Sequence, residues 1–217
     1  MDAFVYLLLG FVALLLLVAA LWRLASRRQT LPCPVWLSWL VELDNPFTKT
    51  NRAAVIIEHL GLETGMAVLD VGCGPGRLTL PAARSVGERG EVVALDIQPG
   101  MLAKTRHKAQ EAGLENIRFL EAGIGTGHLE RNRFDRVLLV TVLGEIPDKA
   151  AAMREIFETL KPGGILSVTE LIFDPHFQRQ RTVITLARTV GFQQRATFGN
   201  RIAYTLHFAK PATEEQS

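Results

Sequence analysis

This chain has neither a strong charge bias nor a cysteine framework, and both absences narrow its function. Its 217 residues carry a formal net charge of only +2, and no run of Lys and Arg is interleaved with aromatic residues. A nucleic-acid partner is therefore not expected. Two cysteines, Cys33 and Cys73, are too few for the disulfide framework of a small secreted domain. The Walker pattern G-x-x-x-x-G-K-S/T is also missing, and we assign no metal ligands.

Charged residues are absent from Phe4–Trp22, which is about the length needed to cross a hydrocarbon core as a helix. The basic residues that follow (Arg23, Arg27 and Arg28) favour a cytoplasmic location for the rest of the chain. A cleaved signal peptide is the alternative, but Asp2 is the only charged side chain before the span. We therefore expect a single-pass membrane protein in which residues 1–28 form the anchor in the lipid bilayer and its basic flank.

Residues 29–50 are expected to form an interfacial helix and a linker. Val35–Leu43 is apolar except for Ser38 and Glu42, which are four residues apart and share one helical face. All three tryptophans lie at the end of the anchor or in this segment (Trp22, Trp36 and Trp39). Because tryptophan favours the headgroup level, the segment is predicted to lie along the bilayer. Packing against the domain, as an ordinary N-terminal helix, is the alternative, and both arrangements are compatible.

Residues 51–210 alternate between strand and helix patterns, which predicts an α/β domain with a mainly parallel sheet. A turn containing Gly199 and Asn200 separates two short strand patterns, so a closing hairpin should add an antiparallel edge. The fifth strand is expected to begin at Ile165, after a Lys-Pro-Gly-Gly turn. Residues 211–217 form a short polar tail.

A glycine-rich loop is the most informative stretch. The strand Ala67–Val71 is followed by glycines at alternate positions (Gly72, Gly74 and Gly76) and then by a helix pattern. Such a turn allows unusual backbone angles and close approach of a ligand to a helix N-terminus. Asp96 ends the next strand, where a carboxylate suits the hydroxyls of a ribose, although it could instead cap a helix. Arg77 replaces the last glycine of the dinucleotide fingerprint G-x-G-x-x-G.

Four ordered motifs give the chain a family resemblance. They are Val68–Gly76, Val93–Leu102, Phe134–Val140 and Leu160–Leu166, and the resemblance that they carry covers about residues 52–208. In order and spacing they resemble class I S-adenosylmethionine-dependent methyltransferases, especially the small-molecule group that includes quinone and phospholipid methyltransferases. The resemblance implies a Rossmann-like seven-stranded sheet with an antiparallel last strand, and S-adenosylmethionine as the cofactor.

The resemblance also implies which residues contact the cofactor. The methionine half would lie on Asp70 and the glycine loop, the ribose on Asp96, and the adenine between Ile97 and Met101. The full predicted set is Asp70, Gly72, Cys73, Gly74, Gly76, Asp96, Ile97, Met101, Gly123, Ile124 and Thr141. Relatives often have Gly-Asp-Ala where this chain has Ala122-Gly123-Ile124, so the contact to the adenine amino group is missing or made by backbone. Glu121 is a poorly placed substitute.

A general base is needed only if the methyl acceptor arrives protonated. Glu145 and His176 are the candidates, and His59 is a weaker one. Each also has a structural explanation: Glu145 as a carboxylate at a helix start, His176 as an exposed loop residue, and His59 on an outer helix face. Relatives often have two histidines or His-Glu where this chain has Gly144-Glu145. Asp44–Arg52 is the expected cover of the cofactor.

The expected activity is in-line methyl transfer to a small or lipid-like acceptor, such as a quinone, a phospholipid head group or a hydrophobic thiol. Two other classes stay open. One is a membrane-tethered scaffold with a degenerate site, and the other is a nicotinamide-dependent reductase, against which the missing Tyr-x-x-x-Lys pair argues. The sequence does not indicate an oligomeric state.

Overall fold

The computed structural model describes residues 5–11, 13–14, 17–18, 33–42 and 48–212. The strands are β1 Ala67–Val71, β2 Glu91–Asp96, β3 Ile117–Glu121, β4 Phe134–Val140, β5 Leu160–Leu171, β6 Gln193–Gly199 and β7 Ala203–Ala209. The helices are α1 Ser38–Glu42, α2 Ala53–Leu60, α3 Thr79–Val86, α4 Pro99–Glu111, α5 Lys149–Thr159 and α6 Gln180–Thr189.

The predicted anchor Phe4–Trp22 lies only partly within the described residues, which are helical between positions 5 and 18. Within the described part of the chain, no helix has both the length and the apolar character needed to cross a membrane.

The seven strands form one sheet in the order β3-β2-β1-β4-β5-β7-β6. Strands β1 to β5 are parallel to one another, and β7 is antiparallel to both β5 and β6. The expected α/β class and the antiparallel last strand are thus confirmed. The final hairpin adds the antiparallel edge that the sequence predicted. After β5, the crossover through α6 leads to β6 at the edge of the sheet. The chain then returns through β7, which pairs between β5 and β6.

The sheet is covered on both faces, as expected for a parallel sheet with helical crossovers. On one face the fully buried Leu69 and Val137 pack against α5 and α6, including Met153 and Val183. On the other face, Val68 and its neighbours pack against α2 and α3, and α4 covers the end of this layer. Burial of both faces explains why the strands read as continuous apolar runs rather than as alternating patterns.

Strand β5 begins at Leu160, five residues before the expected start at Ile165. The Lys-Pro-Gly-Gly stretch pairs with the residue after β7: the Gly163 N–H donates to the Lys210 carbonyl oxygen at 2.9 Å, and the Lys210 N–H donates to Gly164 at 2.9 Å. A turn-like sequence is therefore held in the sheet by a partner about 50 residues away, which local sequence patterns do not reveal.

The segment predicted to be an interfacial helix is a 3₁₀ turn at Val35–Leu37 followed by α1. It packs on α4 through the polar face that the sequence predicted. The Lys104 ammonium donates to the Ser38 hydroxyl at 2.6 Å, and Lys108 pairs with Glu42 at 2.6 Å. Packing on the domain is therefore observed, while residues 43–47 of the linker lie outside the described part of the chain.

Candidate functional site

All three glycines of the loop after β1 have positive φ angles: 68° at Gly72, 52° at Gly74 and 87° at Gly76. The N–H groups of Gly72 and Cys73 both donate to the Leu95 carbonyl oxygen, at 2.7 and 3.0 Å, and tie the loop to β2. A side chain on Gly72 would also approach Val142 to 2.5 Å. Positive φ and close packing together explain the requirement for glycine at this position.

Three of the predicted cofactor residues lie behind this loop rather than in the wall of the cavity. Asp70 is buried, and its Oδ2 accepts a hydrogen bond from the Thr79 hydroxyl at 2.6 Å. Burial raises the pKa of Asp70 to about 6, although the hydrogen bond from Thr79 opposes that shift. Cys73 packs against the α4 residue Leu102, and a side chain on Gly76 would strike Thr105. These three residues hold the loop in shape.

Asp96 combines the two roles that the sequence left open. Its Oδ1 accepts from the Gln98 N–H at 2.9 Å, just before α4, and its Oδ2 accepts from the Gly74 N–H at 2.9 Å. The residue also lines the cavity. Burial raises the pKa of this carboxyl group, and the backbone N–H groups of Gln98 and Gly74 oppose the shift. Because a carboxylate has about four acceptor positions, two remain for a ribose diol.

The cavity encloses about 180 Å³ at the carboxyl ends of the parallel strands, where ligands bind in open α/β sheets. The structure brings nine of the predicted residues together in its wall: Gly72, Gly74, Asp96, Ile97, Met101, Gly123, Ile124, Thr141 and Glu145. The site thus joins the loops after four different strands.

The loop after β3 contributes Gly123 and Ile124 to the wall, whereas Glu121 is exposed and lies outside it. Glu155 of α5 holds this loop by accepting hydrogen bonds from the N–H groups of Gly125 and, at 3.1 Å, Leu129. Among the described residues, no carboxylate of the loop after β3 lines the cavity, so polar contacts from this loop to a ligand would come from backbone.

Thr141 directly follows β4 and has a φ of 54°, an uncommon conformation for a β-branched residue. Its N–H donates to the Thr169 carbonyl oxygen at 2.8 Å, and its hydroxyl donates to Val140 at 2.8 Å. Such strained residues cluster at functional sites, where the surrounding structure compensates for their cost of about 1–3 kcal/mol.

Sequence reasoning missed several wall residues, among them Cys33, Gln98 and Asp174. Cys33 belongs to the N-terminal segment, and the Gln98 side-chain amide donates to its carbonyl oxygen at 3.1 Å. The predicted cover, Asp44–Arg52, is described only from residue 48, and no residue of that described part is in the wall. Nothing in the sequence marks Cys33, whereas Asp174 follows a strand end and was detectable.

The cavity wall also carries an acidic group, formed by residues that follow β4 and β5. Glu145 lies in a 3₁₀ turn after β4, and burial raises its pKa to about 8, with the charges of Asp174 and Asp96 adding to the effect. His176 Nδ1 lies 3.5 Å from the Glu145 carboxyl group and 3.9 Å from that of Asp174. At neutral pH this environment favours the protonated form of Glu145.

His176 is only 7% exposed, so the expectation of an exposed loop residue was wrong. It lies behind Glu145 and is not part of the cavity wall. A side chain on Gly144 would overlap the His176 carbonyl oxygen, which explains why glycine stands where relatives often have histidine. His59 stacks on Phe198 with ring centroids 3.8 Å apart and is not in the wall, so it is no longer a candidate base.

Glu170 and Tyr204 support the loop that carries Asp174 and His176. The Glu170 carboxyl group accepts from the Gln178 N–H at 2.9 Å, and the Tyr204 hydroxyl donates to the Gln178 carbonyl oxygen at 2.6 Å. Burial raises the pKa of Glu170 to about 8. Both contacts hold the loop to the sheet at Gln178, and they position Asp174 in the cavity wall.

Residues 62–203, more than half of the chain, match the protein family described as "Methyltransferase domain". The chain belongs to this family. The glycine loop, Asp96 and the seven-stranded sheet are those of its class I members, which are S-adenosylmethionine-dependent small-molecule methyltransferases.

The similar proteins include quinone methyltransferases. Demethylmenaquinone methyltransferase of Lactococcus lactis is 36% identical over 111 residues, which cover 51% of this chain and 44% of that protein. Ubiquinone/menaquinone biosynthesis C-methyltransferase UbiE of Vibrio vulnificus is 37% identical over 123 residues, which cover 55% and 47% respectively. The matched region thus spans slightly less than half the length of these curated relatives.

Solved structures show the same fold. A SAM-dependent methyltransferase from Aquifex aeolicus superposes with a TM-score of 0.70 at 21% identity, over 82% of this chain and 98% of that one. Phosphoethanolamine N-methyltransferase 2 of Haemonchus contortus, solved with S-adenosylhomocysteine, gives 0.63 at 16% identity, over 74% and 52%.

Proposed function

We propose that this protein transfers a methyl group from S-adenosylmethionine to a ring carbon of a quinol-type, lipid-like acceptor. The observation that carries the proposal is one cavity with two unlike sides. The glycine loop and Asp96 line one part of its wall, called the first side, and Glu145 lines another part, called the second side. The names of the quinone C-methyltransferases at 36–37% identity supply the acceptor class.

The residues fit the cofactor. Gly74 has open space where a side chain would project, and the Asp96 carboxylate retains acceptor positions for a ribose diol. Ile97 and Met101 supply apolar surface for an adenine ring. When bound, S-adenosylmethionine supplies a methyl group on a sulfonium sulfur, a leaving group that needs no further activation. The protein's task is then mainly orientation and exclusion of water, which lower a barrier by several kcal/mol.

Glu145 is the proposed general base. A ring carbon becomes nucleophilic when a neighbouring hydroxyl group loses its proton, and a base works best with a pKa near the working pH. The pKa of about 8 at Glu145 meets this condition because burial disfavours its charged form. His176, 3.5 Å from the Glu145 carboxyl group, is a positioning residue that orients it.

The membrane anchor remains part of the proposal. Phe4–Trp22 carries no charge, and three arginines follow it, which supports a single-pass protein with a cytoplasmic catalytic domain. Retention of the full chain in membranes after alkaline carbonate washing, with release of a chain that lacks residues 1–28, is the expected result. Release of both would remove the anchor from the proposal.

Binding and turnover test the main proposal separately. Calorimetry with S-adenosylhomocysteine is expected to show one site, and labelled S-adenosylmethionine should transfer its methyl group to a reduced demethylquinone carrying an isoprenoid tail. Absence of binding would overturn the cofactor assignment. Binding without transfer to the quinol or to extracted membrane lipids would favour the scaffold alternative.

A further inference from the structure

Residues 33–42, called the strap below, pack on α4 through polar side chains and through Val35, whose methyl groups would lie 3.1 Å from a side chain on Gly100. Ser38 is 1% exposed and accepts a hydrogen bond from Lys104, while Glu42 forms an ion pair with Lys108. Trp36 and Trp39 expose 75% and 56% of their surface. A surface helix of a soluble domain normally buries its apolar side and exposes its polar side. Ser38, Trp36 and Trp39 depart from this rule, since the polar side chain is buried and the two indoles are exposed.

The strap is also part of the cofactor site. Cys33 lines the cavity and accepts a hydrogen bond from Gln98, the residue that begins α4. Lys108 contacts two partners at once: it pairs with Glu42 and donates to the Pro75 carbonyl oxygen of the glycine loop at 3.1 Å. The strap, α4 and the glycine loop therefore form one connected set of contacts.

We propose that the strap lies on a lipid bilayer through Trp36 and Trp39 while its polar face holds α4, so that the cavity opens at the membrane surface. This inference rests on the proposed lipid-like acceptor. Trp36 and Trp39 are three residues apart and share one side, and indole rings favour the headgroup level. The uncharged run Phe4–Trp22 and the arginines after it lie just upstream, and such basic residues are attracted to anionic lipids. Ile97, in the cavity wall, is itself 57% exposed.

Tryptophan fluorescence tests the docking directly because the chain has only three tryptophans. In the full-length Trp22→Phe variant, emission comes from Trp36 and Trp39 alone. We would reconstitute it in phosphatidylcholine vesicles, with and without bromine near the carboxyl end of the acyl chains. Bilayer contact predicts loss of about half or more of the emission in brominated vesicles, since indoles at the headgroup level lie within reach of the bromine.

A tryptophan placed elsewhere provides the matched control. Ile202→Trp, made with Trp22, Trp36 and Trp39 all replaced by Phe, puts the only indole at an exposed apolar position beside the β6–β7 turn. Its emission should be the same in both kinds of vesicle. Equal emission of the strap tryptophans in both vesicles would overturn the inference. Unquenched but blue-shifted emission would also overturn it, because it would mean that protein, such as a second copy, covers the strap.

Calorimetry in the same vesicles separates this inference from the proposed function. S-adenosylhomocysteine binding without quenching would refute the docking alone, and quenching without binding would refute the cofactor assignment alone. The double variant Trp36→Ser, Trp39→Ser should retain its affinity for S-adenosylhomocysteine within about threefold, because neither indole touches the cavity wall.

Discussion

The two sides of the cavity are built in different ways. The cofactor side comes from one continuous β-α-β stretch, and backbone groups of Gly72 and Gly74 shape it. The side that we propose for the acceptor is assembled from separate loops, with Glu145 after β4 and Asp174 after β5. Burial raises the pKa of the carboxyl group on both sides, but backbone N–H groups oppose the shift at Asp96, whereas like charges add to it at Glu145.

This difference suits the first side to cofactor binding and the second side to proton transfer. A preformed backbone cradle suits a cofactor that is the same in every turnover, because its contacts need no adjustment. A carboxyl group with a displaced pKa suits proton transfer, because its two protonation states are both accessible near neutral pH. Variants on the first side should therefore change affinity for S-adenosylhomocysteine, and variants on the second should change turnover.

The largest effect is expected from Glu145→Gln. Loss of the base should lower kcat for a quinol acceptor by roughly 10²–10⁴-fold. In the wild type the base must be deprotonated, so activity should rise with pH through about 8, and this rise should disappear in the variant. A pH–rate profile is the measurement. An unchanged profile in Glu145→Gln would remove Glu145 from the role of base, and His176→Asn should shift the profile without abolishing turnover.

Asp96→Ala should have the next largest effect, on binding rather than turnover. The carboxylate orders the loop through Gly74 and Gln98 and offers acceptors to the ribose. Hydrogen bonds to charged groups contribute about 1.5–3 kcal/mol each, so affinity for S-adenosylhomocysteine should fall roughly 10- to 100-fold by calorimetry. Asp96→Asn, which keeps one acceptor, should lose less. Equal affinity in all three proteins would mean that Asp96 only caps α4.

Gly74 and Gly113 form a matched pair that tests whether the cofactor approaches the backbone closely at Gly74. Gly74 and Gly113 both have left-handed φ angles, 52° and 63°, and at neither would a side chain meet an atom within 4 Å. Only Gly74 lines the cavity. Replacement by Ala should cost about 1 kcal/mol of stability at both positions, yet only Gly74→Ala should weaken S-adenosylhomocysteine binding, by roughly tenfold. Equal binding by both variants would argue against close approach at Gly74.

Asp70→Asn should have the smallest effect and should stabilise the protein. Because burial raises the pKa of Asp70 to about 6, the stability that wild type has at acidic pH is lost as pH rises from about 4 through about 6. The variant should gain about 1 kcal/mol above pH 6.5 and nothing near pH 4, measured as a Tm difference across pH. Affinity for S-adenosylhomocysteine should stay within about threefold, whereas a large loss would place Asp70 in contact with the cofactor.

The cofactor side was largely predictable from sequence. Gly72, Gly74 and Asp96 are marked by local rules, since a strand, a turn with positive φ and a helix follow one another directly. Asp70, Cys73 and Gly76 were predicted as ligands because motif position does not distinguish a residue that lines a cavity from one that supports it. Their burial behind the loop depends on Thr79, Leu102 and Thr105, which approach only when the sheet is covered.

The strap illustrates a different limit. The spacing of Ser38 and Glu42 correctly placed them on one face, but periodicity does not say what a face contacts. That depended on Lys104 and Lys108, more than 60 residues away and spaced by the same helical repeat. Likewise, the strand patterns predicted the final hairpin, whereas the insertion of β7 between β5 and β6 follows from the path of the α6 crossover.

By itself, the sequence determined the order of strands and helices, the glycine turn and the carboxylate at the end of β2, because each depends on residues close together in the chain. Only the tertiary structure brought Cys33, Glu145 and Asp174 to one cavity and buried His176 behind it. It also decided the pKa of Glu145, since desolvation depends on every segment that packs around a group. Local backbone geometry can be read from neighbouring residues, whereas the electrostatics of a site depend on which distant residues share it.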